Sequence, residues 1–274
     1  MGPGLDANLV LPMVYMNMKK IVLIALYSLL FIAGCSRPYV QDPYKKYAKY
    51  SAVELYAKAQ ASLKKKNYDT AVKDFEALDG LYPFGKYAKR ARLDVIYAYY
   101  MNGDDASTVV AAERYLHLQP RSKGADYANY MRGVASFSKG QSWLQKKFNV
   151  SPADRDSKRL YQAYDSFKTV VQDYPDSIYV KDSELRMAYI RNLIAEHSMR
   201  VARYYYSIKA YVAAADRASE IVSHLQEAKQ VPDALAMLVE SYRQLNLPER
   251  AEESYAILKA NYPDSKAYRS LEDK

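Results

Sequence analysis

Hydrophobic positions recur along this chain with the period of a helix, and one arrangement of them returns several times. From Ala71 an aromatic follows four places on at Phe75, an aliphatic seven places on at Leu78, then Tyr82 and Pro83 at eleven and twelve. The stretch from Ala163 repeats this with Phe167, Val170, Tyr174 and Pro175, and the stretch from Ala251 with Tyr255, Leu258, Tyr262 and Pro263. Two weaker copies lie between them. One starts at Thr108 and keeps Ala112, Tyr115 and Pro120; the other has Ala214, Ala218 and Ile221 but no proline. Positions i, i+4 and i+7 share one helix face. The small first residue admits a neighbouring helix, the aromatic fills the gap, and the proline stops the helix. A second apolar face precedes the first and last of the strong copies, with Leu55 and Ala59 before Ala71, and Leu235, Leu238 and Tyr242 before Ala251.

Helix, short turn, helix, proline is the tetratricopeptide pattern, a unit of about 34 residues. The expected fold is therefore all-α, a tetratricopeptide-type solenoid of about five helix-turn-helix repeats. An ordinary helical bundle would also carry a periodic stripe, but the Tyr-Pro pair in fixed register favours the solenoid. The anchors at 71, 108, 163, 214 and 251 are 37, 55, 51 and 37 residues apart. The outer intervals fit one repeat each, and the middle two demand an insertion or longer helices. Residues 140–158 read as an insertion within the third repeat and carry the single Trp, Trp143, together with Phe148. This divides the body into N-terminal repeats over 51–139, the insertion at 140–158, and C-terminal repeats over 159–274.

The start of the chain reads differently. Lys19 and Lys20 precede an apolar run over residues 21–33, broken only by Ser28. Thirteen residues at about 1.5 Å each span roughly 20 Å, too short for a bilayer core near 30 Å. A charged start, a short apolar run and small residues at its end are the marks of a signal peptide. Ile32, Ala33, Gly34 and Cys35 resemble a bacterial lipobox, whose cysteine receives diacylglycerol and an N-acyl chain and becomes the first mature residue. Residues 1–34 then form an upstream extension plus a signal peptide that is removed, with 1–17 lying before Met18, and 35–50 a lipidated linker. Ser36, in place of Asp, implies sorting to the outer membrane by the lipoprotein rule.

Composition removes several classes of chemistry. One Cys leaves no disulfide framework and no C-x-x-C pair. Three His, at 117, 197 and 224, lack metal-binding spacing. Phosphate loops, H-E-x-x-H and G-x-S-x-G are absent from the sequence, and paired acids such as Asp104 and Asp105 read as solvated surface. The chain is expected to be no enzyme, with no catalytic or metal-binding residues and no cofactor beyond the lipid at Cys35. A formal charge of +9 would suit anionic lipid or nucleic acid, but the basic residues are scattered among acids and no reader motif is present, so no nucleic-acid partner is expected. The 29 tyrosines are the compositional oddity. Runs such as Tyr204, Tyr205 and Tyr206 diverge by about 100° per residue on a helix, so some must face solvent or a ligand.

Tyr82 to Gly85, Leu93 to Tyr100, Tyr130 to Gly133, Asp154 to Asp156, and Tyr204 and Tyr205 with Tyr211 to Ala213 together resemble the BamD (ComL) family. These are the tetratricopeptide lipoproteins of the Gram-negative β-barrel assembly machinery (the BAM complex). The resemblance implies a scaffold lipid-anchored through Cys35 to the periplasmic face of the outer membrane. It implies that the N-terminal repeats receive the targeting segments of unfolded outer-membrane proteins, with Tyr56, Tyr82, Phe84, Gly85 and Tyr97 as the candidate contacts. It also implies that the C-terminal repeats dock a POTRA domain of BamA, the barrel-forming subunit, through Arg217 and Tyr211, and meet the other BAM lipoproteins. Two other roles remain open from the residues alone: an adaptor for polysaccharide export or peptidoglycan processes, and a DNA-uptake competence lipoprotein.

Overall fold

The computed structural model describes residues 43–138 and 157–273. The signal peptide, Cys35 and most of the linker lie outside the described residues, as do residues 140–156 of the insertion with Trp143 and Phe148. Residues up to Lys46 belong to a separate unit from Tyr47–Lys274, and the fold is that of the second. Among the described residues it contains eleven α-helices and no strand: α1 (Ala52–Lys64), α2 (Tyr68–Leu81), α3 (Lys86–Met101), α4 (Asp105–Leu118), α5 (Ala125–Ser138), α6 (Ser157–Asp173), α7 (Val180–Ser207), α8 (Tyr211–His224), α9 (Val231–Gln244), α10 (Pro248–Asn261) and α11 (Lys266–Glu272).

Local sequence explains where many of them begin. Ser51 caps α1 and exchanges bonds with Glu54 in a capping box, while Asn67, Asp104 and Ser265 accept from the first turns of α2, α4 and α11. Pro232 and Pro248 sit in the first turns of α9 and α10, where their missing N–H costs nothing.

From α1 to α10 each helix packs against its neighbours in the chain, and α1 with α3, α3 with α5, α7 with α9, and α9 with α11 also touch. That is the connectivity of a solenoid built from five helix pairs and a terminal helix: the first helices of successive pairs share one face. The sequence register survives in three dimensions. Ala71, Thr108, Ala163, Ala214 and Ala251 are all buried, and so are Leu78, Tyr115, Val170, Ile221 and Leu258 seven places on. Twelve places before four of these anchors, Ala59, Ile96, Ala202 and Val239 are buried on the partner helix.

The ends of the second helices are equally regular. At Tyr82, Gln119, Leu225 and Tyr262 the backbone leaves the helix at φ −129, −145, −127 and −138. Each of these N–H groups donates to the carbonyl four residues back, and Tyr174 does the same to Val170. Three of the four precede a proline, which excludes the helical region for the residue before it. Leu225 adopts the same geometry without one, because its side chain is buried in the core and holds the chain at the turn. The fourth repeat therefore ends in register.

A further regularity lies in the turns inside the pairs. Lys66, Gly103, Lys209 and Asn246 stand five places before their anchors and all have positive φ, at 58, 75, 63 and 55. One left-handed residue reverses the chain in each.

The two long intervals have different causes. The second contains the segment outside the described residues, and Ser157 and Lys158 already belong to α6. The third is stretched by α7, 28 residues long against 13–17 in the other helices of the pairs. One apolar cluster runs from Val134 to Leu271, and a smaller one joins Ile96, Ala112, Tyr115, Ala128 and Met131; Tyr100 and Tyr130 pack against both. No helix among the described residues is long and apolar enough to cross a membrane.

Candidate functional site: a tyrosine-lined groove on the first-helix face

The first helices of the N-terminal pairs present their aromatic side chains to one another. On α1, Tyr56 sits 5.5 Å from Tyr87 and 6.1 Å from Phe75, ring to ring, with the Arg90 guanidinium 6.0 Å over its face. Its hydroxyl donates to Asp94 at 2.7 Å, and Gln60 donates to the same carboxylate oxygen at 2.6 Å. Burial, and then the Asp94 hydrogen bond and charge, push the Tyr56 phenol up to about 12. Burial likewise raises Asp94, against the hydrogen bonds and the Arg90 charge that favour its ionised form.

Asp94 leads into a groove of about 560 Å³ bounded by α3, the start of α5 and the turn into α7. Tyr97, Tyr127 and Tyr179 form its aromatic wall, and Ile178 stands on its rim 85% exposed. Tyr127 lies 5.8 Å from Tyr179, which stacks on Tyr130 at 4.6 Å. The Tyr130 hydroxyl donates to Asp182 at 2.8 Å, and Arg186 pairs with that carboxylate at 2.5 Å. The aromatic wall is thus braced from behind by an ion pair. Gly124 allows a close approach here: a Cβ on it would stand 2.8 Å from both the Leu93 side chain and the Tyr115 hydroxyl, which would have to shift.

The sequence-predicted contacts divide between this groove and the far end of α3. Tyr97 lines the groove, and Tyr56 reaches it through Asp94. Tyr82, Phe84 and Gly85 lie before the start of α3 and do not line it. Tyr82 is half-buried with its hydroxyl on the Tyr50 carbonyl at 2.7 Å, so it packs the helix end. Gly85 has φ 113, outside the reach of an L-residue, and starts α3. Phe84 beside it is 92% exposed, an apolar ring held in water.

Arg217 and Tyr211 are on α8. Tyr211 meets Tyr206 edge to face at 5.2 Å. Arg217 is about half exposed and pairs with Glu220 at 3.3 Å, while the Tyr161 hydroxyl donates to the other Glu220 oxygen at 3.1 Å. Arg217 borders a smaller cavity of about 170 Å³ between α6, α7 and α8, where Nδ1 of His197 is buried without a hydrogen bond. The two candidate sites are separate surfaces.

Sequence reasoning missed Asp94, Tyr127, Ile178 and Tyr179 as groove residues. Asp94 carries a usable signal, a lone acid within the apolar run from Leu93 to Tyr100. Ile178 and Tyr179 lie in a turn between repeats, which no helical periodicity marks. Among the described residues there is no His, Cys, Asp or Glu cluster suited to a metal ion.

A family model described as YfiO, outer membrane lipoprotein, matches residues 48–257. The chain belongs to this family. Its members include the outer membrane protein assembly factor BamD of Neisseria meningitidis serogroup A, 36% identical over 248 residues that cover 90% of this chain and 93% of that one. The BamD of Vibrio cholerae is 33% identical over 208 residues, 76% of this chain and 86% of its own. That of Haemophilus influenzae is 30% identical over 245 residues, 89% and 91%. Membership in the YfiO family makes this chain a BamD-type outer membrane protein assembly factor and places it with the outer membrane. A solved type IV pilus biogenesis factor, PilW, is similar over 80% of this chain at 15% identity and a TM-score of 0.34, too low to bear on the fold.

Proposed function

We propose that this assembly factor works as a non-enzymatic, two-surface scaffold. Anchored through lipid on Cys35 at the periplasmic face of the outer membrane, it receives extended targeting segments of unfolded outer-membrane proteins on its N-terminal repeats. Its C-terminal repeats hold a POTRA domain of the BamA-type barrel subunit near Arg217 and Tyr211, and other BAM lipoproteins bind alongside.

The observation that carries this reading is the groove itself. Tyr97, Tyr127 and Tyr179 give broad apolar contact with hydroxyl tips, and ordering Tyr127 and Tyr179 costs little entropy because their rings are already packed. A groove on the first-helix face suits an extended segment. Arg217, half exposed and paired among the described residues with Glu220 at i+3, can exchange that partner for an acid on another protein. The curated relatives are named for outer membrane protein assembly, which favours this role over polysaccharide export, peptidoglycan work or DNA uptake.

A detergent pull-down of the lipidated protein, with Arg217→Glu alongside and the bound proteins read by mass spectrometry, tests the proposal. Recovery of a POTRA-containing barrel that weakens with the charge reversal supports it. Recovery of polysaccharide or cell-wall machinery without that barrel refutes it.

A further inference from the structure

The charge inside the groove runs against the charge of the protein. The whole chain is formally +9, yet the groove is lined by Asp94, Asp126 and Asp176 against a single basic residue, Lys123. The three carboxylates are not equivalent. Asp94 is occupied by Tyr56 and Gln60 and faces the Arg90 charge. Asp126 accepts one bond, from the Ser177 hydroxyl at 2.7 Å on Oδ2. Asp176, next to that serine, is exposed and has no ion pair among the described residues. Asp126 and Asp176 are therefore tied to one rim through Ser177, beside the rings of Tyr179 and Tyr127. The same negative field is felt by the walls: Asp126 adds to the burial that raises the Tyr179 phenol, and Asp94 to the burial that raises Tyr127.

Aromatic rings beside unneutralised carboxylates suit one kind of ligand better than any other. A cationic side chain gains from the acids and from the ring faces, while an apolar or aromatic side chain next to it fills the space along Ile178. We propose that the groove selects extended peptide segments in which an arginine or lysine lies within two residues of an aromatic, the cation bridging Asp126 and Asp176 and the aromatic packing between Tyr97 and Ile178. This rests on the groove being where substrate segments bind, and it names the chemistry by which they are chosen. Lys123 limits the effect on its own rim, while Asp126 and Asp176 repel an acidic residue at the cation's position.

Three fluorescein-labelled ten-residue peptides test it by anisotropy against the full lipidated protein in detergent. They share one aromatic pair and differ at a neighbouring position that is Arg, Gln or Glu. The expected order of affinity is Arg, then Gln, then Glu, with about tenfold or more between the ends at low salt. The gap should narrow as salt rises, since the site is open to solvent. Asp176→Asn alone should reduce the Arg preference, and Asp126→Asn with Asp176→Asn should abolish it, bringing the Arg peptide down to the affinity of the Gln peptide. Asn at 126 can still accept from Ser177, and the exposed single variant guards against a folding artefact. Equal affinity for all three peptides, lost with Tyr97→Ala, would overturn the charge selectivity and leave the groove as the binding surface. Binding of none, or binding indifferent to Tyr97→Ala, would overturn both.

Discussion

Gly133 lies on α5 where that helix crosses α6 inside the third repeat. A Cβ built on it would stand 2.8 Å from Cε1, 2.9 Å from Cζ and 3.0 Å from Cδ1 of Phe167. The ring cannot step aside, because it is fully buried, with Tyr130 edge-on at 6.0 Å and Arg186 over its face at 5.8 Å. Two effects oppose each other in Gly133→Ala. Replacing glycine by alanine in a helix contributes about 1 kcal/mol in favour of the folded state. Forcing a methyl into a packed interface costs about 1–3 kcal/mol, and a clamped aromatic places this case in the upper half. The net expectation is a loss of about 1–2 kcal/mol. Urea unfolding followed by circular dichroism measures it, on residues 36–274. Phe167→Leu, which shortens the obstructing group, should then be less harmful in the Gly133→Ala background than alone, giving a double-mutant coupling of at least 0.5 kcal/mol. A Gly133→Ala protein as stable as the parent, or more so, would refute the close approach of α5 to α6.

Other positions give sharp expectations. Lys209→Gly, at φ 63, should gain about 0.5 kcal/mol, the relief of a left-handed lysine less the added freedom of glycine in the unfolded chain, whereas Gly103→Ala, at φ 75 in the equivalent turn, should lose about 1 kcal/mol; thermal melts with both changes in the same direction would contradict the shared turn geometry. Asp79→Ala leaves Arg92, only 15% exposed, without the carboxylate 2.5 Å away that also holds Arg114 at 2.8 Å, and should cost about 3 kcal/mol in a chemical denaturation curve; a loss below 1 kcal/mol would show that the α2–α3–α4 junction does not depend on this pair. Tyr56 is held near pKa 12, above the unfolded value of about 10, so its contribution is complete below pH 10 and is lost as pH rises toward 12; the fall in urea midpoint between pH 9 and pH 11 should be shallower in Tyr56→Phe, and an unchanged slope would sink the Tyr56–Asp94 assignment.

The repeat was legible because it is written in short-range spacing. Ala71, Phe75 and Leu78 are set by the 3.6-residue period, and a proline at +12 stops a helix whatever surrounds it, so the five pairs could be counted from the chain alone. Family membership followed from the same segments. Tyr56, Tyr82, Tyr97 and Arg217 were singled out as candidate contacts; what the sequence did not show is that the Tyr82 hydroxyl turns back to the Tyr50 carbonyl 32 residues away. Helix length was also hidden. The 28 residues of α7 carry no proline or glycine to end them early, but only packing against α6, α8 and α9 keeps so long a helix in place.

The groove belongs wholly to tertiary structure. Its wall takes Tyr97 from α3, Tyr127 from α5 and Tyr179 from the turn before α7, residues up to 82 positions apart that no local period connects. Periodicity along one helix tells which side chains share its face, because that depends on backbone geometry alone. Which faces meet depends on how closely neighbouring helices approach, and that is decided by side-chain volume at contacts such as Gly133 on Phe167 and Gly124 on Leu93. The negative charge of the groove on a basic chain has the same origin: the sequence fixes how many charges there are, and the packing of the first helices fixes which of them share one space.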